Sequence, residues 1–439
     1  MNRTQEILRL LRDYESPNVL AIAADLSAPV VWEQARGAEV WDAAGKKYLD
    51  LTAAFGVAAA GHANPRVVAA ARRQMGVLLH AMGDVYPHAR KAELARELSR
   101  ITFERWTAAR PAESRLTGKT IFANSGFEAV EAALKTALLA TGKPRILAFT
   151  GAYHGLGYGA LNATHRAYFR APFRAQLAGF GGFAPFPKES ADLPPLERWI
   201  RKSHEKLPFG AVLAEPVQGR GGINVPPAGF LPRLRELCRE LGALLILDEI
   251  YTGFGRTGKW FACEHGGVVP DLICLGKALT GGFPLSACVG RADLMDAAWP
   301  RSTGEAIHTS TFLGHPVGCA MALAQIKEIQ SRNLPARSAE RGEFFLQELR
   351  AQVPPSSYRL EIRGLGLMAG VEIRRPDGAP ASAAALAVLE AMLCAGYMVL
   401  PEGEASNIIS FTPPLTITRA QLAAAARAFG QALKNLPAA

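Results

Sequence analysis

The chain has 439 residues, 49% of them hydrophobic and 20% charged, enough for one large core and a second, smaller one. No segment approaches the roughly 18 uninterrupted apolar residues of a membrane span, and the opening "MNRTQEILRLLRDYESPNVL" lacks the apolar stretch and cleavage site of a signal peptide. Net charge is +10, yet Lys and Arg never run beyond two in a row and no aromatics interleave with them. A basic enzyme with anionic small-molecule ligands is therefore expected, with no nucleic acid and no membrane as partner.

Leucines at helical spacing in the first segment predict a short amphipathic helix, a packing or dimer arm. Through the middle of the chain, short apolar runs alternate with helical patterns. "KTIFANSG" leads into "FEAVEAALKTALLATG", and "PRILAFTGAYHG" follows. "GAVLAEPVQG" precedes a helix around "LPRLRELCRELG"; "ALLILDEIYTG" and "DLICLGKAL" come next. Continuous Val/Ile/Leu-rich runs separated by helices predict an α/β fold with a mostly parallel sheet covered on both faces. Cys238, Cys263, Cys274, Cys288, Cys319 and Cys394 have no CxxC spacing, which predicts buried free thiols in a reducing cytoplasm and no metal site.

Each apolar run stops at polar residues: Asn124 and Ser125, Tyr153 and His154, Glu215, Asp248 and Glu249, Lys277. In open α/β sheets the ligand crevice lies outside the carboxyl ends of the strands, so these ends are expected to deliver their side chains to one place. "NSGFEAVEAALK" reads as a small-residue turn opening a helix whose apolar face is Ala129, Val130, Ala133, Leu134, Ala137 and Leu138. Glu131 is placed to pair with Lys135 one turn on. Free N–H groups at that helix start suit a phosphate, although Ser-Gly before a helix is also an ordinary cap.

A buried lysine is costly unless paired or neutral, and desolvation makes its amine a nucleophile suited to Schiff-base formation. Asp248 can pair with a pyridinium nitrogen and Tyr153 can stack on a planar ring. Phosphate cradle, stacking aromatic, acid and lysine together describe a site for pyridoxal 5′-phosphate. Taken alone, Lys277 also fits a snorkelling or salt-bridged lysine.

"LAEPVQG", "LDEIYTGFGRTG", "LGKALTGGFPLSA", "HTSTFLGHPVGCA" and "RGLGLMAGVEI" carry a resemblance over nearly the whole chain. The sequence resembles the class III, or ω-type, pyridoxal-phosphate-dependent aminotransferases of fold type I. The resemblance implies a large domain over about 61–325 around the mostly parallel sheet. It also implies an N-terminal segment (1–60) and C-terminal residues (326–439) joined in a smaller α+β domain. "TRAQLAAAARAFGQALKNL" reads as the last helix, with Thr418 and Gln421 as a capping box.

By the same resemblance, Lys277 forms the Schiff base and shuttles the proton, and Asp248 keeps the ring nitrogen protonated. Tyr153 and Ile250 cover the two ring faces. Ser125, Gly126 and Phe127 form the phosphate turn. Glu215 sits near the ring hydroxyl, and Tyr251, where many relatives have glutamine, is expected to bond that hydroxyl. Thr311 reaches across a homodimer with shared active sites. The implied reaction moves an amino group from an amine or amino acid to an oxo-acid through pyridoxamine phosphate. A racemase, epimerase or aminomutase on the same scaffold is the alternative.

Substrate recognition departs from the pattern. Leu156 follows the Tyr-His-Gly motif where related enzymes have a carboxylate-binding arginine. Arg220 stands for the glutamate of "EPVQGEGG", and Ser410 for that glutamate's arginine partner. Arg220 is either a relocated carboxylate anchor or an exposed loop residue. Ala53, Phe55 and Val57 are placed by resemblance along an apolar side of the pocket. His315 replaces a usual asparagine. His62 and His154 lie in motifs without an assigned contact, and Arg363 reads as a structural turn arginine.

Overall fold

The computed structural model describes residues 2–18 and 30–437. An antiparallel meander comes first: β1 (Trp32–Arg36), β2 (Glu39–Asp42) and β3 (Lys47–Asp50). The central sheet follows: β4 (Gly118–Ala123), β5 (Arg145–Phe149), β6 (Gly181–Ala184), β7 (Phe209–Ala214), β8 (Leu244–Asp248), β9 (Leu272–Leu275) and β10 (Ser286–Arg291). The C-terminal region supplies β11 (Arg359–Leu365), β12 (Met368–Arg374), β13 (Tyr397–Met398), β14 (Leu400–Glu402) and β15 (Ile408–Phe411). β13 returns to pair with β3, and the other four form an antiparallel sheet in the order β11-β12-β15-β14.

The central order is β4-β10-β9-β8-β7-β5-β6. Every pairing in it is parallel except those of β10, which runs antiparallel to both β4 and β9. β7 and β9 are buried at every position, as strands covered on both faces must be. Along β8 the side chains alternate: Leu245 and Leu247 join the main core, and Ile246 packs in the cluster beneath the Gly126–Thr141 helix. That period of two decides where the acids at the strand end go.

The Gly126–Thr141 helix buries Ala129, Val130, Ala133, Leu134 and Ala137, but Leu138, expected on the same face, is 46% exposed. Glu131 does not serve Lys135. It accepts from the N–H groups of Gly159 (2.8 Å) and Ala160 (3.0 Å), while Lys135 Nζ lies 3.1 Å from His308 Nδ1. Two free N–H groups at a neighbouring helix start outweigh one solvent-exposed ion pair.

The last helix, Arg419–Lys434, has its capping box: Thr418 N donates to Gln421 Oε1 (2.9 Å) and Gln421 N to Thr418 Oγ1 (3.2 Å). The first helix, Arg3–Tyr14, forms under an Asn2 cap but buries none of its residues. Residues 19–29 of the same N-terminal segment lie outside the described residues. The cysteines are all free; Cys394 is exposed and the other five are buried, so the expectation of buried thiols fails at that one position. Among the described residues no helix is long and apolar enough to cross a membrane.

Candidate active site

Lys277 follows the end of β9 with φ at +42°, a left-handed conformation that a lysine adopts only when its surroundings hold it. Its amine enters a cavity of about 410 Å³. Burial lowers its affinity for a proton, and the opposing pull of Asp248, Glu215 and Glu402 only partly restores it.

Lys277 Nζ sits 4.2 Å from the centroid of the Tyr251 ring, on its face. The ring itself is clamped. A Cβ on Gly56 or on Gly219 would come within 2.4 Å of it, at opposite ring edges. Gly56 in addition has φ +80°. Thr412 Oγ1 donates to Thr52 O (3.1 Å), so in the 3.0 Å contact between the two hydroxyls Tyr251 is the donor. The phenol proton is thus directed to Thr412.

β8 delivers Asp248 to the cavity and sends Glu249 the other way. Asp248 Oδ2 lies 2.7 Å from His154 Nδ1, and Oδ1 accepts from Ile250 N (3.1 Å). Glu249 is tied to the N–H groups of Ala262 (3.0 Å) and Cys263 (2.8 Å) and to the Thr252 hydroxyl. The two adjacent acids therefore have different jobs, one facing the cavity and one pinning a loop. Glu215, from the end of β7, accepts from Tyr153 N (3.0 Å) and Gly219 N (2.9 Å). Burial and then the nearby Asp248 charge push its carboxyl up to about 7.

At the end of β4, the Glu128 carboxylate accepts from Asn124 N (2.6 Å) and Ser125 N (3.2 Å), which closes the turn. The Ser125 hydroxyl is buried without a hydrogen-bond partner among the described residues. It lies at the N-terminus of a 16-residue helix, where an anion is favoured by the free N–H groups and the helix dipole. Gly126, Phe127, Tyr153 and Ile250 all line the same cavity. Gly155, with φ +107°, lets the chain pass Phe127, since a Cβ there would lie 2.4 Å from the phenylalanine Cβ.

Arg220 also lines the cavity, with its side chain 35% exposed, and its Nη1 lies 3.0 Å from Glu402 Oε2. Arg220 is thus not a bare loop residue. Glu402 escaped the sequence reading. It ends β14, its side chain is 1% exposed, and neither oxygen has a hydrogen-bond partner of good geometry among the described residues. The only available signal was charge balance: with a cation at position 220 and none at 410, an acid had to lie nearby. Ser410 donates to Leu400 O (3.1 Å) and serves the sheet.

Other expectations resolve locally. Leu156 lines the cavity and is 48% exposed. Phe55 and Thr311 are exposed and Ala53 is buried; they and Val57 lie outside the cavity lining formed by one chain. His62 bonds Asp50 (2.7 Å). His315 Nδ1 accepts from Val317 N (3.3 Å), capping a helix as an asparagine would. Arg363 holds Ile223 O (3.0 Å), Gly222 O (2.7 Å) and Glu372 (2.7 Å), a structural role.

A lysine amine biased towards neutrality, an acid held by a histidine, an orphaned serine hydroxyl at a helix start and an aromatic beside them fit pyridoxal phosphate. A mostly parallel sheet carrying such a site at its strand ends defines a fold-type-I pyridoxal-phosphate enzyme. The chain matches the Aminotransferase class-III family over residues 22–433. It is 37% identical to the putrescine aminotransferase of Pectobacterium atrosepticum, covering 98% of this chain and 89% of that one. It is 38% identical to an acetylornithine aminotransferase of Methanosarcina mazei, covering 90% and 89%. The crystal structure of an amine transaminase from an uncultivated Pseudomonas species, in its PLP-bound form, superposes with a TM-score of 0.85 at 29% identity, covering 95% and 98%. The protein belongs to the class III aminotransferases and uses pyridoxal phosphate to move an amino group from an amine or amino acid to an oxo-acid.

Proposed function

We propose that Lys277 is the residue that carries the cofactor and the proton of this transamination, with Asp248 as its electrostatic partner. The observation that carries the assignment is the placement of Lys277, just beyond a strand end, in one cavity with Asp248, Glu215 and Tyr153. Pyridoxal phosphate, when bound, supplies the aldehyde that receives the amino group and the ring that draws electrons from the carbon being deprotonated. The neutral Lys277 amine holds the proton at Nζ and returns it on the same side of the ring. Asp248 presents a fixed negative charge where a ring nitrogen needs one, and His154 orients it. The Ser125 hydroxyl and the N–H groups of Gly126 and Phe127 bind phosphate. Tyr153 and Ile250 confine the ring, Tyr251 fixes the lysine, and Glu215 sets the charge on the far side. Arg220 is the cation available to an oxo-acid carboxylate.

A homodimer with Thr311 and Phe55 contributed across the interface is part of this reading. Its support is apolar surface: Val77 is 84% exposed, Val85 61% and Ile307 64%. His80 packs 5.2 Å from Phe312, bringing two of these exposed segments together. Patches of this kind mark protein interfaces. We place the large domain at 61–325 and the smaller one at 1–60 with 326–439, and the enzyme in the cytoplasm, where five buried thiols stay reduced.

The visible spectrum of the holoprotein tests the assignment. Wild type loses its aldehyde-form band on addition of one amino donor alone and regains it with an oxo-acid. Lys277→Ala is expected to do neither at a comparable rate. Equal rates in the two proteins would remove Lys277 from the role. Light scattering reads the dimer, and a monomer at assay concentration would contradict the shared site.

A further inference from the structure

Arg220 and Glu402 form an ion pair in which the carboxylate is the buried member. The Glu402 side chain is 1% exposed and that of Arg220 35%. The backbones are tied as well, Gly403 N donating to Arg220 O (3.1 Å), so the loop and the strand end are held together independently of the arginine side chain. Arg220 lines two cavities: the one holding Lys277 and an adjoining one of about 220 Å³ that also contains Arg166, Gln218 and Glu404. Its guanidinium therefore stands between the two, about 6.0 Å from the centroid of the Tyr153 ring that lines both. The adjoining cavity offers it space and a second carboxylate, that of Glu404, in the same lining.

Once Arg220 turns away, Glu402 is left as a buried anion beside the lysine, with both oxygens short of hydrogen-bond partners. A buried carboxylate without a partner is unstable and takes a cation or a proton. Leu156, which lines the Lys277 cavity, is apolar, and Ser410 is spent on Leu400 O, so neither brings a cation to Glu402.

We propose that Glu402 recognises a second, positively charged group on the amino donor, so that the enzyme takes alkyl diamines, with Arg220 as the cation that the donor's distal ammonium displaces. The proposal rests on the transaminase reading and specifies its donor. Burial pushes the Glu402 carboxyl up to about 7, against the pull of Arg220 and Lys277. A proton can therefore replace the departing ammonium, and the site does not hold the product as tightly as a permanent ion pair would.

The test uses holoenzyme with matched cofactor content: wild type, Glu402→Gln and Glu402→Asp. Single-turnover loss of the aldehyde-form band is followed with 1,4-diaminobutane and with 1-aminobutane, and the apparent Kd is separated from the limiting rate. The expected result is a diamine preference in wild type that falls at least tenfold in Glu402→Gln, carried by the apparent Kd, and returns in part in Glu402→Asp. Equal losses for the two amines, or no wild-type preference, would overturn the proposal while leaving transamination intact. If no amine or amino acid changes the band, transamination by this chain fails instead. Calorimetry of 1,4-diaminobutane against the same holoproteins then decides the inference, and equal binding to wild type and Glu402→Gln rejects it.

Discussion

His154 Nδ1 lies 2.7 Å from Asp248 Oδ2, and both side chains are out of water. The contact joins the end of β5 to the end of β8 and fixes the carboxylate before any ligand arrives. Removing the imidazole leaves a buried acceptor unserved, at a cost of about 1–3 kcal/mol. His154→Leu is expected to lower stability by that amount in equilibrium unfolding and to weaken cofactor retention on dialysis. Unchanged retention would mean that Asp248 needs no such support.

The Ser125 hydroxyl supplies a second prediction. Hydrogen bonds to a charged group contribute about 1.5–3 kcal/mol. Ser125→Ala is therefore expected to raise the Kd for pyridoxal phosphate roughly ten- to a hundredfold, read by fluorescence titration of the cofactor-free protein. The unfolding midpoint of that cofactor-free protein should move little, since the hydroxyl has no partner there to lose.

Tyr251 gives a steric prediction. A methyl on Gly219 would lie 2.4 Å from the ring, whose opposite edge has no room for even a methyl at Gly56. Overpacking of this kind costs about 1–3 kcal/mol. Gly219→Ala should lower the melting temperature and slow the reaction by displacing Lys277. The double variant with Tyr251→Ala should recover most of the stability.

The architecture was legible because its signals are local. Unbroken apolar runs such as "LLIL" and "LICL" announced strands buried on both faces, and their polar ends announced the crevice. Adjacent Asp248 and Glu249 looked like a pair, and only the strand's alternation separated them. The Tyr251–Thr412 hydrogen bond was not legible, because Thr412 lies 161 residues away. Glu402 was missed for the same reason: its partner Arg220 lies in a turn beyond β7, far away in the chain, and nothing within its own segment reports the contact.

Three glutamates make stability depend on pH. Burial raises Glu215, Glu249 and Glu402 from 4.5 to about 7. Between those values the folded chain holds more protons than the unfolded one. Their contribution is fully present below about pH 4.5 and is lost as pH rises through about 7, at up to about 1.4 kcal/mol per pH unit for each group. Cofactor-free Glu402→Gln should show a shallower decline across that window than wild type in urea unfolding. Parallel slopes would show that Glu402 titrates normally.

Borohydride reduction of the holoprotein followed by peptide mass spectrometry would read directly which lysine carries the cofactor. A phosphopyridoxyl group is expected on the peptide containing Lys277 and on no other. Attachment at a different lysine, or none, would contradict the assembly of the strand ends around Lys277.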